Sequence, residues 1–196
     1  MFYMINELAE IFPNIDFSSF LTEEEIVFSF SFFKQLNLKK GEYLSREGQI
    51  CTKLMIVKNG ILRSFYNKDA EQLTTYFNIE GTIATALRSY LKEVPAHENI
   101  QALTDVELLY IEKKDMNKLY AEIPSWNKIG RLVMEILYVK MEERSISLQH
   151  DSARERYLNF LTEFPNVVNR IPLQYIASFL GITPETLSRI RKSLFT

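Results

Sequence analysis

Residues 173–192 read Leu173-Gln-Tyr-Ile-Ala-Ser-Phe-Leu-Gly-Ile-Thr-Pro-Glu-Thr-Leu-Ser-Arg-Ile-Arg-Lys192, the pattern of two short helices joined by a tight turn. Gly181 falls where the chain must leave the first helix in a left-handed conformation, which a residue without Cβ adopts at little cost. Thr183 can cap the second helix, and Pro184 takes its first position, where a missing N–H is no loss. Ile176, Leu180, Ile182, Leu187 and Ile190 recur at intervals that bury one face of each helix against the other, with the small Ala177 at the crossing. The stretch predicts a helix-turn-helix.

At about 100° per residue, Glu185, Ser188, Arg189 and Lys192 share the outward face of the second helix, while Leu187, Ile190 and Leu194 point away. Arg189 can pair with both guanine O6 and N7, and Glu185, one turn earlier, can accept from a cytosine amino group. Ser188 is small enough to let the helix sink into a groove. Thr183, Thr186, Arg191 and Lys192 are placed for phosphates. A plainer reading makes this face solvated, with an i, i+4 ion pair between Glu185 and Arg189.

Whole-chain charge neither helps nor forbids such a role. The 196 residues carry 23 Lys plus Arg and 25 Asp plus Glu, a net charge of −2, so contact with nucleic acid must rest on a local patch. From Asp151 onward there are six basic and four acidic residues, and the positive charge gathers after Thr186. A hydrophobic share of 46% permits a sizeable core and excludes a disordered chain.

Metal and cofactor chemistry has little to draw on. Cys51 is the single cysteine, which rules out an intrachain disulfide and a four-cysteine zinc or iron–sulfur site within one chain. His97 and His150 are far apart in sequence, and no motif supports His97 as a haem ligand. No cofactor is expected. No Gly-rich phosphate loop or G-x-S-x-G elbow is present, and runs such as Glu23-Glu24-Glu25 read as solvated helix surface, so an enzyme is not expected. Met1–Glu7 lacks a positive leader region. The longest uncharged stretch, 171–184, is too short and polar to span a bilayer, so a cytoplasmic protein with no membrane partner is expected.

The rest of the chain divides by texture. Thr22 and Glu25 form a possible capping box ahead of Ile26. From about Gln35 to Glu112, short β-branched runs alternate with turn signals at Lys40-Gly41, Glu47-Gly48, Asn59-Gly60, Asn67-Lys68-Asp69 and Glu80-Gly81, predicting an antiparallel β-barrel or β-roll. Asn59-Gly60, between Leu54–Val57 and Ile61–Phe65, predicts a type I′ hairpin with both turn residues at positive φ. Lys114–Ile123 predicts a short helix. Beyond Pro124 a long one follows, with Trp126, Ile129, Val133, Ile136, Leu137, Lys140 and Met141 near 3/4 spacing. That stripe fits either its own domain or a second copy of the chain.

Taken together, a β-roll with turn glycines, a long helix and a C-terminal Glu185-x-x-Ser188-Arg189 resemble the Crp/Fnr family of bacterial transcription regulators over about Ile26–Lys192. Further echoes are Gly41-Glu-Tyr-Leu-Ser-Arg-Glu-Gly48, Leu54-Met-Ile-Val-Lys-Asn-Gly60 and Ile100-Gln-Ala-Leu103. The resemblance implies an α+β fold: an N-terminal antiparallel β-roll (cupin-like, cyclic-nucleotide-binding-domain-like), a long dimerisation helix at about Ser125–Arg144, and a C-terminal helix-turn-helix domain. The corresponding segments are 1–123, 124–149 and 150–196. It implies a homodimer on two-fold symmetric double-stranded DNA, with RNA polymerase as a further partner. Glu185, Ser188 and Arg189 would read a TTGA-like half-site. Four residues follow Lys192, so the wing strands common in the family are not expected, and DNA affinity is expected to be modest or to depend more heavily on dimerisation.

Departures from the family bear on the effector. Its cyclic-nucleotide receptors use Gly-Glu-Leu for the ribose and Arg-Ser or Arg-Ala for the phosphate. The matching stretches here are Ala84-Thr85-Ala86 and Ala96-His97, with Arg88 the one nearby arginine. Without a charged partner a buried phosphate loses bonds of about 1.5–3 kcal/mol each. The effector pocket expected at Thr85, Ala86, Arg88, Ala96 and His97 therefore takes an unknown small molecule or none, and cyclic AMP does not bind there in the usual way. An alternative is a ligand-sensing or protein-interaction β-roll whose C-terminal helices do not bind DNA.

Overall fold

The computed structural model describes residues 16–69 and 71–194. Met1–Glu7, read above for a leader, lies outside them. Among the described residues the chain forms two compact units, 16–65 with Phe77–Val133, and Tyr66–Tyr76 with 134–194.

The strands are β1 (Lys34–Leu38), β2 (Tyr43–Ser45), β3 (Lys53–Asn59), β4 (Leu62–Lys68), β5 (Glu71–Asn78), β6 (Ile83–Ala84), β7 (Asn99–Ala102) and β8 (Val106–Glu112). They form two four-stranded sheets, ordered β1-β8-β3-β6 and β2-β7-β4-β5, with the recorded pairings antiparallel. This is the expected β-roll. The register sets Leu36 and Val57 beside Leu108, and Leu62 beside Ala102. Alternate residues of the two sheets thereby meet in one core of Met55, Val57, Leu62, Ile100, Ala102, Val106 and Leu108.

One expected turn is corrected. Asn59-Gly60 does not close a hairpin, because β3 and β4 belong to different sheets. Gly60 has φ +103°, whereas Asn59 is not among the positive-φ residues. The pair turns the chain between the sheets, and Gly60 is there because a Cβ would lie 2.5 Å from Asp105 O and 2.9 Å from Val106 Cα. The hairpin lies one strand later, between β4 and β5, with Asp69 left-handed at φ 55°. Gly60→Ala should cost about 2–4 kcal/mol through strain and overpacking, read as a lower urea midpoint at unchanged m. A midpoint within error of wild type would refute this account of the corner.

Helices close the first unit. They are α1 (Glu23–Phe30), α2 (Leu87–Lys92), α3 (Lys113–Glu122) and the first turns of α4 (Ser125–His150). The capping box at α1 is present: Thr22 Oγ1 accepts from Glu25 N, and Glu25 Oε2 accepts from Thr22 N. A second core joins Phe17, Leu21, Ile26, Ile111, Met116, Leu119, Ile123, Trp126 and Ile129. Trp126 Nε1 donates to Ser29 Oγ at 2.8 Å, satisfying both polar groups inside it.

The second unit holds the remainder of α4, α5 (Ala153–Glu163), α6 (Leu173–Leu180) and α7 (Pro184–Leu194), with the β4–β5 hairpin segment Tyr66–Tyr76. With no Gly or Pro between Arg144 and His150, α4 continues past the expected end. Its apolar stripe divides. Trp126 and Ile129 are buried and Val133 and Leu137 half-buried, whereas Ile136 and Met141 are exposed, as are Tyr138, Val139 and Ile146 outside the stripe, Tyr138 and Met141 by about two thirds.

Candidate nucleic-acid interface

The turn between α6 and α7 is built as its sequence requires. Gly181 is left-handed at φ 66°, ψ 36°. Its N–H donates to Ser178 O, and Ile182 N donates to Ala177 O, so two of the helix's last carbonyls are satisfied within the turn. Thr183 Oγ1 accepts from Thr186 N at 3.2 Å, capping α7 one residue before Pro184. Ile176, Ala177, Leu180 and Leu187 are buried at the crossing.

This packing leaves Glu185, Ser188, Arg189 and Lys192 together on the exposed face of α7. The Glu185 carboxyl is held below the usual range, first by the backbone N–H at the helix start, then by the Thr183 hydroxyl and the Arg189 charge. It is an ionised acceptor at neutral pH. Of the remaining residues read as phosphate contacts, Thr183 is exposed, and Thr186 and Arg191 are half-buried. The Thr183 and Thr186 hydroxyls lie 3.2 Å apart, in hydrogen-bond contact.

Three supporting side chains have no assigned role in the sequence motifs above. Arg144 Nη2 donates to Phe179 O at 2.6 Å, with its guanidinium 3.7 Å from the Phe179 ring centroid. Arg156 Nε donates to Leu180 O at 2.8 Å, and its Nη1 to Asp151 O at 2.6 Å. Ser178 Oγ donates to Gln72 O and accepts from Thr74 N, bridging the outer edge of β5. Arg144 and Arg156 line a cavity of about 580 Å³ together with Tyr76, Asp151 and Glu163. Burial pushes the Tyr76 phenol up to about 12 and raises the Glu163 carboxyl. Arginines at these positions carry no local sequence signal, since what they cap is remote in the chain.

The residues read as an effector pocket separate. Ala86 and Ala96 are buried in the roll's apolar core with Ala84, Tyr90 and Cys51. Thr85 is half-buried, its hydroxyl donating to Lys53 O at 2.9 Å. Arg88 and His97 are exposed. Ser89 Oγ accepts from Cys51 N and donates to Val94 O, tying α2 to the roll. Asn99 Nδ2 is buried without a hydrogen-bond partner among the described residues. Burial raises the nearby Glu98 carboxyl. Among the described residues, no group of three His, Cys, Asp or Glu side chains is placed to hold a metal. No described helix is long and apolar enough to cross a membrane.

Comparison with known proteins places this architecture. Residues 35–122 match the cyclic nucleotide-binding domain family. The solved structure of FixK2 from Bradyrhizobium japonicum superposes with a TM-score of 0.72 at 20% identity, covering 83% of this chain and 84% of that one. A Crp/Fnr-family transcriptional regulator from Eubacterium rectale gives 0.69 at 18% identity over 91% and 86%. The chain has the Crp/Fnr fold. The c-di-GMP-responsive global regulator CLP of Xanthomonas campestris, with a TM-score of 0.69 at 15% identity over 88% and 91%, is similar to it as well. No curated protein matches the sequence. On this Crp/Fnr frame the β-roll is the part that the family model covers, and α6 and α7 lie outside the matched segment.

Proposed function

We propose that the chain is a Crp/Fnr-type transcription regulator that binds a two-fold symmetric DNA site as a homodimer. The observation that carries this reading is the exposed constellation of Glu185, Ser188 and Arg189 on α7, held out by the Gly181 turn and the Thr183 cap. In the major groove Arg189 pairs with a guanine and Glu185 accepts from a cytosine amino group. Lys192, Arg191 and the two threonines meet phosphates. The exposed Tyr138 and Met141 on α4 supply an apolar face that a second copy can cover. Selection from a randomised duplex pool tests the reading: an inverted repeat should emerge. Recovery of no preferred sequence at low salt favours the roll as a sensing or protein-interaction module instead.

The effector region supports regulation without cyclic AMP. Ala86 and Ala96 present no charge, and Arg88 and His97 face solvent. A cyclic phosphate buried there would have no guanidinium partner in Arg88. Calorimetric titration of cyclic AMP should give no heat of binding at micromolar concentrations, and micromolar affinity would overturn this part.

A further inference from the structure

We infer that Arg144 is a positioning residue for DNA recognition, setting the angle at which each protomer presents α7 and thus the half-site spacing the paired chain accepts. The inference rests on the DNA-binding reading above and deepens it. Four carbonyls end α6. Those of Ala177 and Ser178 are satisfied inside the turn. Those of Phe179 and Leu180 are taken by two arginines on different helices, Arg144 on α4 and Arg156 on α5. Only Asp151 and Ser152 separate α4 from α5, and Arg156 also donates to Asp151 O at this joint. The two arginines thus grip adjacent carbonyls from either side of the short link.

The Arg144 contact is directional. Its guanidinium both stacks on the Phe179 ring and donates to the same residue's carbonyl. A planar fork held in two ways defines an orientation, which an ammonium group cannot reproduce. The bond is charge-assisted and aligned with the negative end of α6. Its helix, α4, also carries the exposed apolar face assigned to pairing. One route from the pairing face of α4 to α6, and on to α7, passes directly through this side chain, while the other runs by way of α5 and Arg156.

The test uses the full chain and labelled duplexes carrying the selected half-site as an inverted repeat, with spacing varied one base pair at a time. Wild type should prefer one spacing. Arg144→Met should retain the same half-site bases and salt slope, while its preference for that spacing over one two base pairs away falls by about tenfold. Arg144→Lys should fall between the two, and it decides the matter if Arg144→Met does not fold. A reduced salt slope would make Arg144 a phosphate contact. Equal weakening at every spacing with a lower melting temperature would make it a fold contact only. Either result overturns the inference. Wild type selecting no sequence would instead overturn the DNA-binding reading beneath it.

Discussion

Replacing Arg189 with alanine should weaken binding to the selected inverted repeat by about 1–3 kcal/mol per half-site, so about 2–6 kcal/mol for a dimer. Arg189 is exposed at mid-helix and acts on Glu185 as a nearby surface charge, a pairing worth little to the fold. The loss should be selective: binding to a duplex with that guanine changed should scarcely alter, because the contact was already absent. Lys192→Ala supplies the contrast. It should weaken binding to all duplexes about equally and lower the magnitude of the salt slope by about one per protomer. If Arg189→Ala instead behaves like Lys192→Ala, Arg189 meets phosphate and the assignment of base contacts is wrong.

Phe160→Ala should destabilise the second unit by about 3–5 kcal/mol. Phe160 is 1% exposed, with its ring centroid 5.0 Å from Phe164 and 5.6 Å from Phe179. The Phe164–Phe179 pair, edge-on at 6.1 Å, closes the triangle. Removing one ring leaves a void that two rigid aromatics cannot fill, and Phe179 also receives Arg144. Trp126 is the chain's one tryptophan and lies in the first unit's core. Its fluorescence should therefore unfold near the wild-type urea midpoint, while helix ellipticity is lost at lower urea. Coincident, unshifted transitions would show that the aromatic triangle does not support the helix-turn-helix.

Some features were legible because they depend on neighbours in the chain. The Thr22–Glu25 box and the Gly181–Thr183–Pro184 turn are local arrangements, and the structure forms each as the residues demand. The Ser152-Ala-Arg-Glu155 capping box is equally local, and it starts α5 with both reciprocal bonds. Asn59-Gly60 misled for a defined reason. A turn dipeptide reports that the chain reverses, but which sheet the next strand joins is decided by distant pairing, here with β7 rather than β3. Nor could the α4 stripe reveal its own division. Period alone does not distinguish Ile129, buried under Phe17 and Met116 in the same core, from Met141, with two thirds of its surface exposed.

From its residues alone the chain settled the local starts and turns at Thr22–Glu25 and Gly181–Pro184, and that α7 turns Glu185, Ser188 and Arg189 away from its apolar side. Helical period, capping groups and left-handed glycines act within a few residues, so they are written in order along the chain. Tertiary structure decided what covers each surface: that Ala86 and Ala96 share an apolar core while Arg88 and His97 do not, and that Arg144 and Arg156 close the end of α6. Those contacts join residues from 24 to 35 positions apart at α6. They exist only once folding brings unpaired carbonyls and long cationic side chains to the same place, where each satisfies what the other would otherwise leave open.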